Sequence, residues 1–145
     1  MIVETLKEAY IPALVEIEKA CFGESSWTYE GFLGELSGEY SLCLCAVEGE
    51  TLLGCICMNT TPEQGFISKV MVAPAHRRKG IAKEMLNALI AIAKQKGLQE
   101  LTLEVRESNM PAQALYTAFG FENLGKRRNF YHSPKEDAVI MTKVL

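Results

Sequence analysis

The hydrophobic period of this chain changes twice between residues 65 and 106, and that restricts the fold more than any other feature. "GFISKVMVAP" (65–74) reads as a strand that ends before Pro74. From Arg78 the spacing becomes helical: Ile81, Met85, Leu89 and Ile92 make an apolar stripe, Lys94 and Lys96 sit in the last turn, and Gly97 terminates it. "LQELTLEVR" then alternates, with Leu101, Leu103 and Val105 on one face and Thr102, Glu104 and Arg106 on the other. A strand, a long helix and a second strand in succession require an α/β arrangement.

The flanking segments extend it. Residues 5–20 read as a helix carrying Leu14, Ile17 and Ala20 or Cys21, and "SWTYEGFLGELSG" as a second helix, capped by Ser26 or Thr28 and stopped near Gly38. Residues 41–47 and 51–59 read as a hairpin turning at Gly49. A later helix is opened by Ser108 or Asn109, with Pro111 in its first turn and Gly120 at its end; strands follow at about 121–131 and 137–144. With no linker or repeat in 145 residues, the expectation is one domain (1–145), a mixed α/β sheet with helices on both faces.

A 48% hydrophobic and 23% charged composition excludes a disordered or fibrous chain, and no apolar run approaches the roughly 18 residues that span a membrane. "MIVETLKEAYIPAL" lacks a basic segment followed by an apolar one, so a cytoplasmic location is expected. The net charge of −3 is unevenly distributed: residues 1–65 carry −9 and residues 66–145 carry +6. Either the halves face partners of opposite sign, or they attract each other within the fold. The basic stretches are too short, in a chain acidic overall, for general nucleic-acid binding.

Cys43, Cys45, Cys55 and Cys57 lie on the hairpin. A two-residue turn would put the two pairs on opposite faces, a three-residue turn on one face. Zinc sites favour loop-borne Cys-x2-4-Cys spacing, and disulfides are scarce in a reducing compartment. No metal is expected, and the thiols read as small buried apolar groups.

"HRRKGIAKEML" (76–86) sets three fixed positive charges where a helix begins, although a helix N-terminus already carries partial positive charge and unpaired N–H groups. An anion resolves the conflict, and Gly80 would let one approach the backbone. Arg77, Arg78 and Lys79 suit a pyrophosphate; the alternative is a solvated basic turn. The spacing is neither a Walker loop nor Gly-x-Gly-x-x-Gly.

Arg77-Arg78-Lys79-Gly80-Ile81-Ala82, between a strand and a long helix, resembles the Arg/Gln-x-x-Gly-x-Gly/Ala motif of GNAT acetyltransferases, and Asn109 followed by "ALYTAFGF" resembles the later family signature. The order of elements is similar over essentially the whole chain. "LEVRESNMPAQALYTAFGF", "RRNFYHSPKEDAVIM" and the Trp27–Phe32 spacing resemble the RimI branch, the ribosomal-protein-alanine N-acetyltransferases. The resemblance implies a mostly antiparallel sheet of six to seven strands, splayed to admit acetyl-CoA, with about four helices. It implies that Arg77, Arg78, Lys79, Gly80, Ile81, Ala82 and Lys83 hold the cofactor's pyrophosphate. Asn109 would also lie on the cofactor side, and backbone groups of Val70, Met71 and Val72 would pair with the pantetheine arm. The implied acceptor is the α-amine of a protein N-terminus, typically alanine on a small-subunit ribosomal protein, contacted by Trp27 and Tyr131. Phe130 and Ser26 stand where relatives often carry tyrosine and proline.

The chemistry needs a base for the amine and an acid for the thiolate. Glu104 is either that base or an ordinary strand carboxylate, and Tyr116 either the acid or a core tyrosine; the resemblance favours the catalytic roles. No Ser/His/Asp or Cys/His arrangement accompanies the two histidines, so direct transfer is expected. Three rivals remain: the same chemistry on a lysine or small-molecule amine, a non-catalytic acyl-CoA-binding module, and a thiol-based metal or redox module. The basic acceptor that the acidic first half would suit is consistent with a ribosomal protein.

Overall fold

In the computed structural model, which describes residues 1–23 and 26–145, a seven-stranded sheet runs in the order β1-β2-β3-β4-β5-β7-β6. The strands are β1 (Ile2–Thr5), β2 (Ser41–Glu48), β3 (Thr51–Thr60), β4 (Gln64–Val72), β5 (Glu100–Arg106), β6 (Glu122–His132) and β7 (Lys135–Val144). The helices are α1 (Ile11–Phe22), α2 (Tyr29–Ser37), α3 (Ile81–Gln95) and α4 (Met110–Ala118). All neighbouring strands are antiparallel except β4 and β5, which pair in parallel across the α3 crossover. No described helix is long and apolar enough to cross a membrane.

Two cores sit on the two faces. α3 buries Met85, Leu86, Leu89, Ile90 and Ala93 against one face, together with Leu101, Leu103 and Val105 of β5. α1 and α2 cover the other with Ile11, Leu14 and Phe32, over Met71 and the four hairpin cysteines. The expected stripe on α3 is therefore wider than read, and Ile92 lies at its half-buried edge.

Two boundaries differ from expectation. The N-terminal helix does not begin at residue 5: Ile2–Thr5 is a strand paired with Thr5–Leu44 and Ile2–Val47 at its ends. β-Branched residues favour that pairing, and Pro12, which lacks an N–H, belongs in the first turn of α1. α1 then buries Ile11, Leu14 and Glu18, so a charge takes a core position; Ile17 is half-buried and Ala20 exposed. α3 starts at Ile81, not Arg78, because Arg78 and Gly80 hold positive φ of 65° and 79° and keep the preceding turn out of the helix. Thr28 and Asn109 are the caps of α2 and α4, their side chains accepting from Gly31 N and Ala112 N.

The hairpin combines both turn geometries considered above. Gly49 and Glu50 make a two-residue turn, which alone would oppose Leu44 to Cys55. A bulge at Leu53 shifts the register, so Cys43 faces Cys57 and Cys45 faces Cys55, all four on the α1–α2 side. Gly54, next to the bulge, lets β4 approach; a Cβ there would overlap the Met71 carbonyl oxygen. Since backbone cannot move aside as a side chain can, Gly54→Ala is expected to cost about 3 kcal/mol, the upper end for overpacking. A urea midpoint within error of the parent would contradict this.

Candidate active site

A second bulge opens the site. Met58 pairs with Ile67 and Cys57 with Lys69, leaving Ser68 as the extra residue on β4. β4 and β5 stay paired only through Ile67–Leu103. Beyond that point β4 keeps β3 on one edge but has left β5 on the other, so the edge from Ser68 to Val72 faces a gap. The result is a cleft of about 1070 Å³ crossing the sheet, lined by β4, the 76–83 turn, β5, α4 and the start of the β6–β7 hairpin.

At one end lies the basic turn. α3 has no side-chain N-cap, so its first N–H groups are left for a ligand. Gly80 is needed for its φ of 79° rather than for room, since a Cβ there would meet nothing within 4 Å. Arg78 adopts the same left-handed region without being glycine, a strained conformation of the kind that clusters at ligand sites. Arg77 reaches across the cleft instead: its Nε donates to Val72 O at 3.3 Å and its Nη2 to Cys21 Sγ at 3.3 Å. Arg77, Arg78, Gly80, Ile81, Ala82 and Lys83 line the cleft, whereas Lys79 does not. Val70, Met71 and Val72 form the β4 wall, and Asn109 lines the α4 end while its side-chain oxygen caps the helix.

The splay brings Glu104 and Tyr116 to one cavity from opposite faces of the sheet. Glu104 follows Leu103 in the alternation, so it points away from the α3 core, and its side chain is 9% exposed. One oxygen lies 3.3 Å from Arg127 Nε; the other is buried with no hydrogen-bond partner among the described residues. Tyr116 comes from α4 on the α3 side, 6% exposed, edge-on to Phe121 at 5.9 Å. Burial, with a smaller contribution from Tyr131, pushes its hydroxyl up to about 12. Tyr131 also lines the cleft; its hydroxyl is raised first by burial and then by the Glu104 carboxylate. The Arg106 guanidinium stacks 4.3 Å from the Tyr131 ring and donates to Pro134 O at 2.9 Å, tying the β6–β7 hairpin to β5.

Sequence reading missed the wall opposite Glu104. Glu18, fully buried, accepts from Lys69 Nζ at 2.7 Å and from Trp27 N at 3.1 Å; its second oxygen has no partner among the described residues. Lys69 Nζ lies 4.1 Å from the Trp27 ring and 4.6 Å from that of Phe22. Trp27 itself packs edge-on against Phe32 at 5.3 Å and is not part of the cleft lining, although Glu18, Phe22 and Lys69 are. The pair also joins the acidic and basic halves of the chain, so part of the charge asymmetry is used within the fold. A glutamate at an apolar helix position was the only available signal, and its partner, 51 residues away, left none.

The acetyltransferase (GNAT) family profile matches residues 4–121. The chain is 34% identical over 146 residues to the [ribosomal protein bS18]-alanine N-acetyltransferase of Haemophilus ducreyi, covering 99% of each protein. It is 33% identical over 132 residues to a putative enzyme of the same description from Bacillus subtilis, covering 90% of this chain and 87% of that one. The crystal structure of the ribosomal-protein-S18-alanine N-acetyltransferase from Escherichia coli superposes with a TM-score of 0.90 at 28% identity, over 99% of this chain and 92% of that one.

Proposed function

This chain belongs to the acetyltransferase (GNAT) family, and from that premise we propose that it transfers acetyl from acetyl-CoA to the N-terminal α-amine of an alanine-type acceptor on a small-subunit ribosomal protein, in the cytoplasm. The observation that carries the reading is Glu104: a nearly buried carboxylate with one unpaired oxygen, at the point where β4 leaves β5. The relatives' acceptor, ribosomal protein bS18, supports the choice of substrate.

An α-amine attacks a thioester only when neutral. Glu104 takes a proton from the α-ammonium, the neutral amine forms the C–N bond, and Tyr116 gives its proton to sulfur as the C–S bond breaks, regaining one from the cationic nitrogen of the tetrahedral intermediate. The base and the acid reach the cleft from opposite faces of the sheet, so the amine can enter from one side while the thiolate leaves toward the other. Arg78, Lys83 and the uncapped start of α3 suit the pyrophosphate, and the β4 edge suits the pantetheine arm. Tyr131 and the Arg106-tied hairpin form the acceptor side.

The test is mass spectrometry of peptides incubated with protein and acetyl-CoA. One peptide has a free N-terminal alanine followed by basic residues, and one has a blocked N-terminus and an internal lysine; a polyamine runs alongside. Acetyl on the free α-amine alone supports the reading, and acetyl on lysine or polyamine overturns the acceptor. Binding of acetyl-CoA with no transfer to any of them would favour a non-catalytic module.

Tyr116→Phe is expected to lower kcat about 100-fold, the lower end for acid catalysis because a thiolate is already a good leaving group, with KM for acetyl-CoA little changed. Because the hydroxyl is held up to about 12, it keeps its proton throughout neutral and mildly alkaline pH, and no loss of wild-type kcat between pH 8 and 10 should trace to it. Steady-state rates across that range check both statements.

A further inference from the structure

We propose that Cys43, Cys55 and Cys57 form a buried binding site for one thiophilic d10 cation, of the Zn(II), Cd(II) or Cu(I) kind, between the sheet and the α1–α2 layer. No metal was expected, and of the two turn lengths open to the hairpin the two-residue one would divide the cysteines between two faces. The Leu53 bulge removes that objection: Cys43 directly faces Cys57, Cys45 directly faces Cys55, and all four share one face.

Side chains directly opposite on antiparallel strands have Cβ atoms about 5 Å apart, which is unusually favourable for collecting short ligands. The sulfur atoms of Cys43, Cys55 and Cys57 all lie within 4.8 Å of one another. Around a tetrahedral zinc with bonds of about 2.3 Å, thiolate sulfurs stand about 3.8 Å apart, so an inward shift of about an ångström completes the contacts. Thiolate ligands select zinc or cuprous ion over harder cations. Cys45, one rung along on the same face, can supply a fourth sulfur, which zinc requires and three-coordinate copper does not.

Charge and access set the conditions. Three thiols release three protons on binding a dication, leaving one net negative charge in the site. Lys69, opposite Cys57 across β3–β4, occupies the adjoining position of the same face, with its charge already paired to Glu18. The cysteines are 0–3% exposed beneath Leu14 and Phe32, so the ion must enter before the α1–α2 layer closes. Loading therefore couples to folding, and the bound ion should raise the stability of the folded state.

The experiment refolds the reduced full-length protein from denaturant with one equivalent of Cd(II), of Cu(I), or with chelator alone, then removes free metal and confirms folding by circular dichroism. The expected result is one ion retained per chain by elemental mass spectrometry, a thiolate-to-cadmium charge-transfer band, and a thermal midpoint above that of the chelated protein. Cys55→Ala should abolish retention, and Cys43→Ala provides the same reading if Cys55→Ala does not refold. Cys21→Ala, whose thiol lies in the cleft, should retain the ion. Loss of cadmium with retention of copper in Cys45→Ala identifies the three-coordinate ion; parallel loss of both identifies four-sulfur binding. A wild-type chain that refolds and holds no ion overturns the proposal, as does equal retention in folded Cys55→Ala or Cys43→Ala. Acetyl transfer is assayed on loaded and chelated samples separately, so either result stands without the other.

Discussion

Glu104→Gln is expected to lower kcat/KM for an alanine-terminated peptide by about 10²–10⁴-fold, the range for losing a positioned general base. Glutamine keeps the length and planar end of the side chain, so the β5–β7 ladder, in which residue 104 faces Ile140, should be undisturbed. The unpaired oxygen makes the substitution informative, because no structural hydrogen bond at that atom is lost. Acetyl-CoA affinity should be unchanged, since the basic turn lies elsewhere in the cleft. The defect should also shrink with rising pH: an α-amine with an ordinary pKa of about 8 deprotonates by itself in alkali and needs the base less. A uniform loss across pH 7 to 10, or a loss confined to acetyl-CoA KM, would mean that Glu104 positions the site instead of accepting the proton.

Lys69→Met has the largest expected effect on stability. Glu18 is fully buried and Lys69 is 7% exposed, and the two are 2.7 Å apart. Removing one partner strands a buried charge, at a cost of about 3–5 kcal/mol. Urea denaturation of Lys69→Met should show that loss, while the double substitution Glu18→Leu/Lys69→Met should recover most of it, because a well-packed apolar pair can replace a buried ion pair at little cost. The double variant would still lack the hydrogen bond that Glu18 accepts from the Trp27 backbone N–H, so Trp27 should be less firmly held and acceptor KM should rise. A single variant as stable as the parent would show that the pair is solvated in solution.

The β5 alternation and the α3 stripe were legible because each element keeps one face in a core along its whole length. The basic turn was legible because its charges conflict with the helix that follows. Gly80 was expected there to let a ligand approach; in the fold the backbone requires its φ, and the space around it is open. Glu104 and Tyr116 were recognisable through the family pattern, and their convergence through the splay is a property of the sheet alone.

β1 was not legible, because a four-residue edge strand earns its stability from the β2 partner and carries too few residues for a period. The buried Glu18–Lys69 pair joins residues far apart in the chain, and the one local sign of it contradicts the apolar pattern around it. The cysteine faces were undecidable for a related reason. A single inserted residue at Leu53 reverses every later side chain on β3, and only pairing with β2 and β4 shows that it is there. The sequence by itself thus determined most of the element types and the basic turn, which local spacing and charge set, while the candidate acid and base came from the family resemblance. The tertiary structure decided the strand order, the two bulges and the side chains they bring together, because register depends on hydrogen bonds between segments that no local pattern specifies.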